Sequence, residues 1–79
     1  MTALVVLYTR HGCGLCESAK RVLLAERSRT PFDLEEIDVE GNDELELEYG
    51  VRLPVVLVDS EELFELVVDA EAFARAVSR

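Results

Sequence analysis

The hydrophobic pattern of the chain changes at Cys13 and Cys16, the only two cysteines among its 79 residues. Before them, residues 3–7 form a continuous apolar run that is typical of a strand buried on both faces. After them, apolar side chains recur at helical spacing, at Leu15, Ala19, Val22 and Leu23. The junction predicts a strand that leads directly into a helix, with Cys13 at or just before the first helical turn.

The predicted position of Cys13 favours a thiolate. Backbone N–H groups without helical partners and the positive end of the helix dipole both stabilise an anion there. Arg10 and His11 precede it, and thiols in such surroundings have pKa values of about 3.5–7.5 instead of about 8.5. We therefore predict that Cys13 is a nucleophile. Cys16, one helical turn further on, is predicted to be less exposed and to resolve a mixed disulfide formed on Cys13.

Three other interpretations of the cysteine pair are half of a zinc site, a static disulfide and two core thiols. A structural zinc site uses four ligands, whereas the chain offers two cysteines and His11, so the site would need a second chain. A disulfide across so short a loop constrains little chain entropy. The strand before the pair and the helix after it favour redox chemistry, which needs neither a resident metal nor a cofactor.

Composition and charge narrow the possible functions. The length suits a single domain over residues 1–79, and a hydrophobic content of 49% indicates a folded chain. The net charge of -9 argues against nucleic acid and anionic membranes as partners, although residues 1–31 carry +3 and residues 32–79 carry -12. Neither a membrane span nor a signal peptide is recognisable. We expect a cytoplasmic protein, and there a lone cysteine pair is more often catalytic or metal-binding than structural.

The first half of the chain predicts a parallel βαβ unit. A helix over residues 14–28 is ended by Pro31, because the residue before a proline avoids helical geometry. The strand over residues 32–39 loses its alternation at Glu35-Glu36, which indicates a bulge or an edge position. A strand, helix and strand of these lengths form a right-handed crossover, so we expect the sheet to start parallel.

The second half predicts a short helix, a hairpin and a last helix, giving the order βαβαββα. Asn42 can cap a helix over residues 43–49, although the alternating apolar residues there also fit a strand. Gly50 as a helix stop favours the helix. Pro54 stands at the entrance of a β-rich run, with a turn expected at residues 59–62 and a returning strand over residues 63–68. Asp69 can cap a last helix over residues 70–78 that buries Ala72, Phe73, Ala76 and Val77.

Cys13-Gly14-Leu15-Cys16 after the first strand, Leu53-Pro54-Val55 some forty residues later, and the order βαβαββα resemble the thioredoxin superfamily, specifically its small glutaredoxin-like branch. The resemblance implies an α/β, thioredoxin-like fold, with a four-stranded mixed sheet and helices on both faces. It also implies that the Leu53-Pro54 bond is cis and faces the cysteines. The backbone before the proline would then pair with a bound disulfide partner as an added strand.

The resemblance extends to residues around the cysteines. Arg10 matches the basic residue that can hold a glutathione carboxylate, and Asp69 matches the acidic residue before the last helix. His11 can stabilise the thiolate, shuttle a proton or remain solvated, whereas glycines serve a tight turn and the close approach of a partner. The expected partner-binding surface comprises Arg10, His11, Gly12, Gly14, Leu15, Leu53, Pro54 and Asp69.

The chain departs from the glutathione-using pattern at several positions. Gly-Leu separates its cysteines, Arg52-Leu53 precedes the proline, and residues 66–69 read Leu-Val-Val-Asp where a glycine pair and an acidic residue would stand. The sequence therefore indicates regeneration by a reductase, or action on a specific protein client, as strongly as it indicates binding of glutathione. Residues 4–7 are wholly apolar and lack the buried carboxylate of thioredoxins, so the base for Cys16 would be water, the other thiolate or His11.

We expect a monomeric thiol-disulfide oxidoreductase that reduces disulfide-containing protein clients or glutathione mixed disulfides. A thiol reductant, either glutathione or a reductase, would regenerate it. One alternative is a dimeric binding module whose two chains share a zinc ion or an iron-sulfur cluster through their cysteines. The other is a non-enzymatic domain that docks a basic partner on an acidic face containing Glu44, Glu46, Glu48, Glu61, Glu62 and Glu65.

Overall fold

A computed structural model describes residues 2–78 of the chain. The elements within this range follow the predicted order βαβαββα. They are β1 (Ala3–Thr9), α1 (Gly14–Arg27), β2 (Phe32–Asp38), α2 (Asp43–Tyr49), β3 (Val55–Val58), β4 (Glu61–Glu65) and α3 (Ala70–Val77). None of these helices is both long and apolar enough to cross a membrane.

The strands form one mixed sheet in the order β2-β1-β3-β4. β1 runs parallel to β2, in a register that pairs Ala3 with Phe32 and Thr9 with Asp38. β3 is antiparallel to both β1 and β4. The parallel start is thus confirmed, and the most apolar strands, β1 and β3, occupy the two interior positions, where they are hydrogen-bonded on both sides.

The main core lies between one face of the sheet and the helices α1 and α3. Its buried residues are Val5, Leu7, Ala19, Leu23, Phe32, Val56, Val58, Val68, Phe73 and Val77. Phe73 is fully buried and meets Phe32 edge to face, with ring centroids 5.4 Å apart, and Phe64 at 6.3 Å. The predicted burial of Phe73 and Val77 is therefore confirmed, and these side chains attach α3 to the sheet.

α2 covers one end of the opposite face of the sheet. Tyr8 follows Leu7 in β1 and so points to the other side, where its ring stacks on that of Tyr49 at a centroid distance of 4.1 Å. α2 has no fully buried residue, so this stack is a principal contact between the helix and the sheet. The predicted architecture of a mixed four-stranded sheet with helices on both faces is confirmed.

The hairpin differs from the prediction, which placed the turn at residues 59–62 and the returning strand at 63–68. The turn consists of Asp59 and Ser60 alone, with φ values of 50° and 72°, and β4 begins at Glu61. Two successive positive φ values match the twist of the strands they connect. The chain leaves the sheet at Leu66, whose φ of 68° is also positive.

Smaller differences concern β2 and α1. β2 pairs with β1 without a shift in register, so it has no bulge at Glu35-Glu36. The alternative prediction, an edge position for β2, is correct. The register shift in the sheet lies between β3 and β4. α1 ends at Arg27, with Ser28 as its cap rather than its last residue. Leu15, expected on the apolar face of α1, is 49% exposed, because the buried stripe of the helix begins at Cys16 instead.

Substitution Phe73→Ala should lower the free energy of unfolding by about 3–5 kcal/mol, since it removes a fully buried ring from the contact between α3 and the sheet. The milder Phe73→Leu should cost at most about 1.5 kcal/mol. Urea denaturation followed by circular dichroism would measure both. Leu47→Ala, at a position that is 89% exposed, is the control and should change stability by less than about 0.5 kcal/mol. Equal effects of Phe73→Ala and Leu47→Ala would contradict the assigned core.

Candidate functional site

A tight turn joins β1 to α1 and places Cys13 at the start of the helix. Gly12 has a φ of 78°, a conformation that favours glycine. The N–H of Cys13 then donates to the carbonyl oxygen of Arg10 at 3.3 Å. Gly14 begins α1 and has open space where a side chain would stand. The turn expected at Gly12 is present, and Gly14 leaves room above the helix end.

Cys13 is the N-cap of α1. Its backbone is extended, with φ -93° and ψ 114°, and its Sγ accepts a hydrogen bond from the N–H of Cys16 at 3.1 Å. This bond satisfies one of the N–H groups that a helix start leaves without a partner. The same N–H would donate more strongly to a thiolate than to a neutral sulfur.

The two cysteines form a disulfide, with Cα atoms 5.2 Å apart. Cys13 is partly exposed, whereas Cys16 is only 3% exposed and packs against Val39 and Leu53. The exposure therefore differs in the direction that a nucleophile and a resolving thiol require. Their chemical roles remain a prediction.

The cis-proline segment approaches the cysteine pair through the Leu53 side chain. The peptide bond between Leu53 and Pro54 is cis, as the resemblance implied. The Leu53 side chain is buried in the same cluster as Cys16, and Pro54 is fully buried. Within residues 2–78, no hydrogen bond reaches the backbone N–H or C=O of Leu53. An extended partner segment could therefore pair with this backbone without displacing an internal bond.

The loop after β4 is fastened to the same segment. The N–H of Leu66 donates to the carbonyl oxygens of Arg52, at 3.2 Å, and Pro54, at 2.9 Å. The side chains of Leu66 and Val67 are 44% and 69% exposed. The glutathione-using pattern has a pair of glycines in this region of the chain. Here apolar side chains are exposed to solvent beside the cis-proline segment instead.

Asp69 acts as the predicted cap of α3. Its Oδ1 accepts hydrogen bonds from the N–H groups of Glu71 and Ala72, at 2.9 and 3.2 Å. This carboxylate is thus already engaged by the start of the helix. Its predicted contact with a partner stays a prediction.

A pair of tyrosines packs beside the cysteines. Tyr8 and Tyr49, stacked with their rings 17° apart, belong to the cluster around Cys16 and Leu53. Burial, and next the neighbouring Tyr8, raises the pKa of Tyr49 above its ordinary value of 10.0. The Arg52 guanidinium lies over the Tyr49 ring, 5.4 Å from its centroid. The stack joins α2 to the strand that leads into the loop before Cys13.

The guanidinium of Arg10 is bound to α2 and its C-terminal cap. It forms an ion pair with Glu46, and its Nη1 donates to the carbonyl oxygen of Gly50 at 3.4 Å. A Cβ at residue 50 would collide with the Glu46 carbonyl and come within 3.3 Å of Arg10 Nη2. Gly50 caps α2 in right-handed helical geometry. It is therefore required by this close approach, and the left-handed stop that often explains such a glycine does not apply.

Other charged groups surround the pair. Lys20 lies 3.2 Å from a carboxylate oxygen of Glu36, and Arg52 is paired with Glu48, Glu62 and Glu65. His11 is exposed at the mouth of a polar cleft of about 360 Å³. This cleft is lined by Thr9, Arg10, His11, Glu17, Lys20, Glu36 and Asp38. In the part of the chain that the structure describes, no group of three or more histidine, cysteine, aspartate or glutamate side chains is placed to hold a metal ion.

The structure brings most of the predicted site together. Cys13, Gly14, Leu15 and Cys16 share the first turn of α1, and Leu53 packs onto Cys16 from the cis-proline segment. The side chain of Arg10 is bound to α2, and its predicted contact with a partner stays a prediction. Sequence reasoning missed that Glu46 is its partner and that Tyr49 stacks near the cysteines. A charge or an aromatic ring in a short acidic helix gives no signal of a contact some forty residues away along the chain.

The sequence model of one protein family matches nearly the whole chain. The family is described as Glutaredoxin-like domain (DUF836), and the match spans residues 4–78. The chain belongs to this family. The uncharacterized protein Rv0508 of Mycobacterium tuberculosis is 38% identical over 95% of this chain and 82% of its own length.

Solved structures support the same fold. Protein Ne2328 from Nitrosomonas europaea is 30% identical, covers 99% of this chain and 94% of its own, and has a TM-score of 0.84. A point mutant of thioredoxin from Halobacterium salinarum is 26% identical over 96% of this chain and 72% of its own, with a TM-score of 0.69. The glutaredoxin-like chain therefore has a thioredoxin-like fold with a Cys-x-x-Cys pair, which supports a redox role of this general kind.

The tyrosine stack can be tested by titration. In Tyr8→Phe, Tyr49 is the sole remaining tyrosine and the chain has no tryptophan, so tyrosinate absorbance reports Tyr49 alone. Because burial raises its pKa, the transition should lie above pH 10.0 in the folded variant and fall on unfolding in urea. The protonated tyrosine thus contributes stability that is fully present below its unfolded pKa and lost as pH rises through the folded pKa. Coincident transitions in the folded and unfolded variant would contradict its burial.

Proposed function

We propose that this glutaredoxin-like protein is a thiol-disulfide oxidoreductase with Cys13 as the attacking thiol and Cys16 as the resolving thiol. The observation that carries the proposal is the position of the pair. The outer cysteine caps a helix start and receives the Cys16 N–H at 3.1 Å, while the inner cysteine is buried directly behind it. The Cys13 sulfur is therefore accessible, and the helix start stabilises its thiolate form. Burial protects the Cys16 sulfur from reaction with competing partners.

The proposed reaction transfers two electrons from the reduced pair to a client disulfide. The Cys13 thiolate forms a bond to one client sulfur, the client S–S bond breaks, and the departing client thiolate takes up a proton from solvent. The Cys16 thiolate next attacks the Cys13 sulfur of the mixed disulfide. This step forms the Cys13-Cys16 disulfide and releases the second client thiol. An external thiol reductant, glutathione or a reductase, reverses the oxidation of the pair.

The proton of Cys16 needs an acceptor in the second step. β1 supplies no carboxylate beneath the pair, because Val5 and Leu7 belong to the main core and the β1 side chain in the cluster around Cys16 is that of Tyr8. Water, the departing thiolate and the exposed His11 at the start of the active-site loop are the groups that remain as acceptors. No metal or organic cofactor takes part in the proposed steps.

Clients are proposed to be proteins that contain a disulfide. The free backbone of Leu53 can pair with an extended client segment as an added strand. Leu15, Leu66 and Val67 are exposed on the elements that flank the pair and can contact client side chains. The proposal includes a monomeric protein in a reducing compartment such as the cytoplasm, where a cysteine pair cycles rather than persisting as a structural disulfide.

Single cysteine substitutions separate the two roles. Cys13→Ser should reduce a disulfide-linked reporter peptide no faster than the uncatalysed exchange, because the attacking sulfur is gone. Cys16→Ser should still attack but accumulate a mixed disulfide, which mass spectrometry without reductant would detect. Fluorescence of the reporter gives the rates. Retained activity in Cys13→Ser, or a mixed disulfide that forms on Cys16 in preference to Cys13, would refute the assigned roles.

A pH titration of thiolate absorbance tests the physical basis of the same assignment. The ordinary pKa of a thiol is about 8.5. In the reduced protein, thiolate absorbance should persist well below that pH. This low-pH absorbance should be absent from Cys13→Ser and present in Cys16→Ser. Two thiols that both titrate near the ordinary value would mean that the end of α1 does not activate Cys13.

A further inference from the structure

The cations near the cysteine pair are engaged by groups of the protein itself. Arg10 is held by Glu46 and by a backbone carbonyl of α2, and Lys20 by Glu36 at 3.2 Å. Arg52 contacts three carboxylates on α2 and β4. An anionic substrate would have to displace a carboxylate to use any of these three side chains.

Arg10 is the most informative of these cations because its backbone belongs to the active-site loop. Its carbonyl oxygen accepts the N–H of Cys13 at 3.3 Å, yet its guanidinium points to α2. The side chains of Arg10 and Glu46 are 36% and 38% exposed. The pair is therefore open to solvent, and a single substitution on α2 would release the arginine without opening the core.

Apart from the polar cleft beside the cysteine loop, the surface around the pair includes apolar side chains and backbone groups. Leu15, Leu66 and Val67 are exposed, and the backbone of Leu53 is unpaired within residues 2–78. At longer range, the net charge of -9 repels anions. Both features favour a disulfide whose neighbours are uncharged and apolar over one whose neighbours carry carboxylates.

We propose that Glu46 is a specificity determinant of the cysteine pair. By holding Arg10 on α2, it withholds the arginine of the active-site loop from anionic disulfides, so that the protein selects disulfides flanked by uncharged, apolar groups of a polypeptide. The inference rests on the proposed oxidoreductase function. Glu46 acts through the position of Arg10 and takes no part in the exchange of electrons, which pass from the two thiols to the substrate disulfide.

Two small disulfides of opposite character test this selectivity. Hydroxyethyl disulfide is neutral, and dithiodipropionate carries a carboxylate on each half. Each would be mixed in excess with reduced protein at low ionic strength, and the appearance of the Cys13-Cys16 disulfide would be followed by acid quenching and mass spectrometry. The ratio of the two rate constants within one variant measures selectivity. Comparing ratios between variants cancels the intrinsic reactivity of the substrates.

Glu46→Gln should raise the rate constant for dithiodipropionate about three- to fivefold and leave that for hydroxyethyl disulfide unchanged, the range expected for one exposed charge contact. The increase should disappear at high salt. Glu44→Gln is the matched control, since it removes one negative charge from an exposed position of the same helix. It should change the ratio by less than about 1.5-fold, because it removes the same unit of net charge while Arg10 stays paired with Glu46.

The double variant Glu46→Gln/Arg10→Gln assigns the effect to Arg10, and its selectivity should return to the wild-type ratio. Glu46→Met, which keeps a long side chain without a charge, should behave as Glu46→Gln does. The α2 backbone bond from the Gly50 N–H to the Glu46 carbonyl, at 2.8 Å, is retained in these variants.

Equal gains in Glu46→Gln and Glu44→Gln would show general charge repulsion and overturn the role of Glu46, as would an unchanged ratio in Glu46→Gln. A wild-type protein that oxidises with neither disulfide would overturn the oxidoreductase function and this inference together. Reaction with hydroxyethyl disulfide combined with an unchanged ratio would leave the function standing and reject the specificity alone.

Discussion

The hydrogen bond from the Cys16 N–H to the Cys13 sulfur, at 3.1 Å, fixes the geometry on which the site depends. It requires Cys13 to cap α1 in an extended conformation, and this in turn requires the turn at Gly12 and a β1 strand that ends at Thr9. β1 is an interior strand, hydrogen-bonded to β2 and β3. The Cys13 sulfur thus follows closely after an interior strand, so its position is determined by the core rather than by the flexibility of a loop.

The other walls of the site are held by contacts between distant parts of the chain. Leu66 donates its N–H to the carbonyl oxygens of Arg52 and Pro54, which fixes the loop after β4 to the cis-proline segment. α2 has no fully buried residue and is retained through Tyr49, the Arg10-Glu46 ion pair and Arg52. Because Tyr49 belongs to the cluster around Cys16 and Arg10 lies in the loop before Cys13, a change that loosens α2 would alter the surroundings of the cysteines as well.

Local patterns made most of the fold predictable. The change of period at the cysteines predicted β1 and α1, and the caps Asn42 and Asp69 predicted the starts of α2 and α3, because each depends on residues within one turn of the chain. The hairpin turn was placed too broadly, since acidic residues in an exposed edge strand resemble a loop. The engagement of Arg10 was not predictable, because the orientation of a long side chain depends on which carboxylate the fold brings near it. Glu46 is one of many acidic residues in the sequence.

The same distinction separates what the family supplies from what this chain adds. In the thioredoxin-like fold of this chain, the cysteine pair lies at a helix start and Leu53, the residue before a cis-proline, packs on Cys16. These features depend on backbone geometry and on burial. Charge is different, because it is set residue by residue on the surface. In this chain the excess of acidic residues lies beyond residue 31. One of them, Glu46 on α2, is brought by the fold into an ion pair with Arg10 in the loop that precedes Cys13. Under the proposed function, substitutions on α2 would change substrate choice while the cysteines, the helix start and the core stay the same.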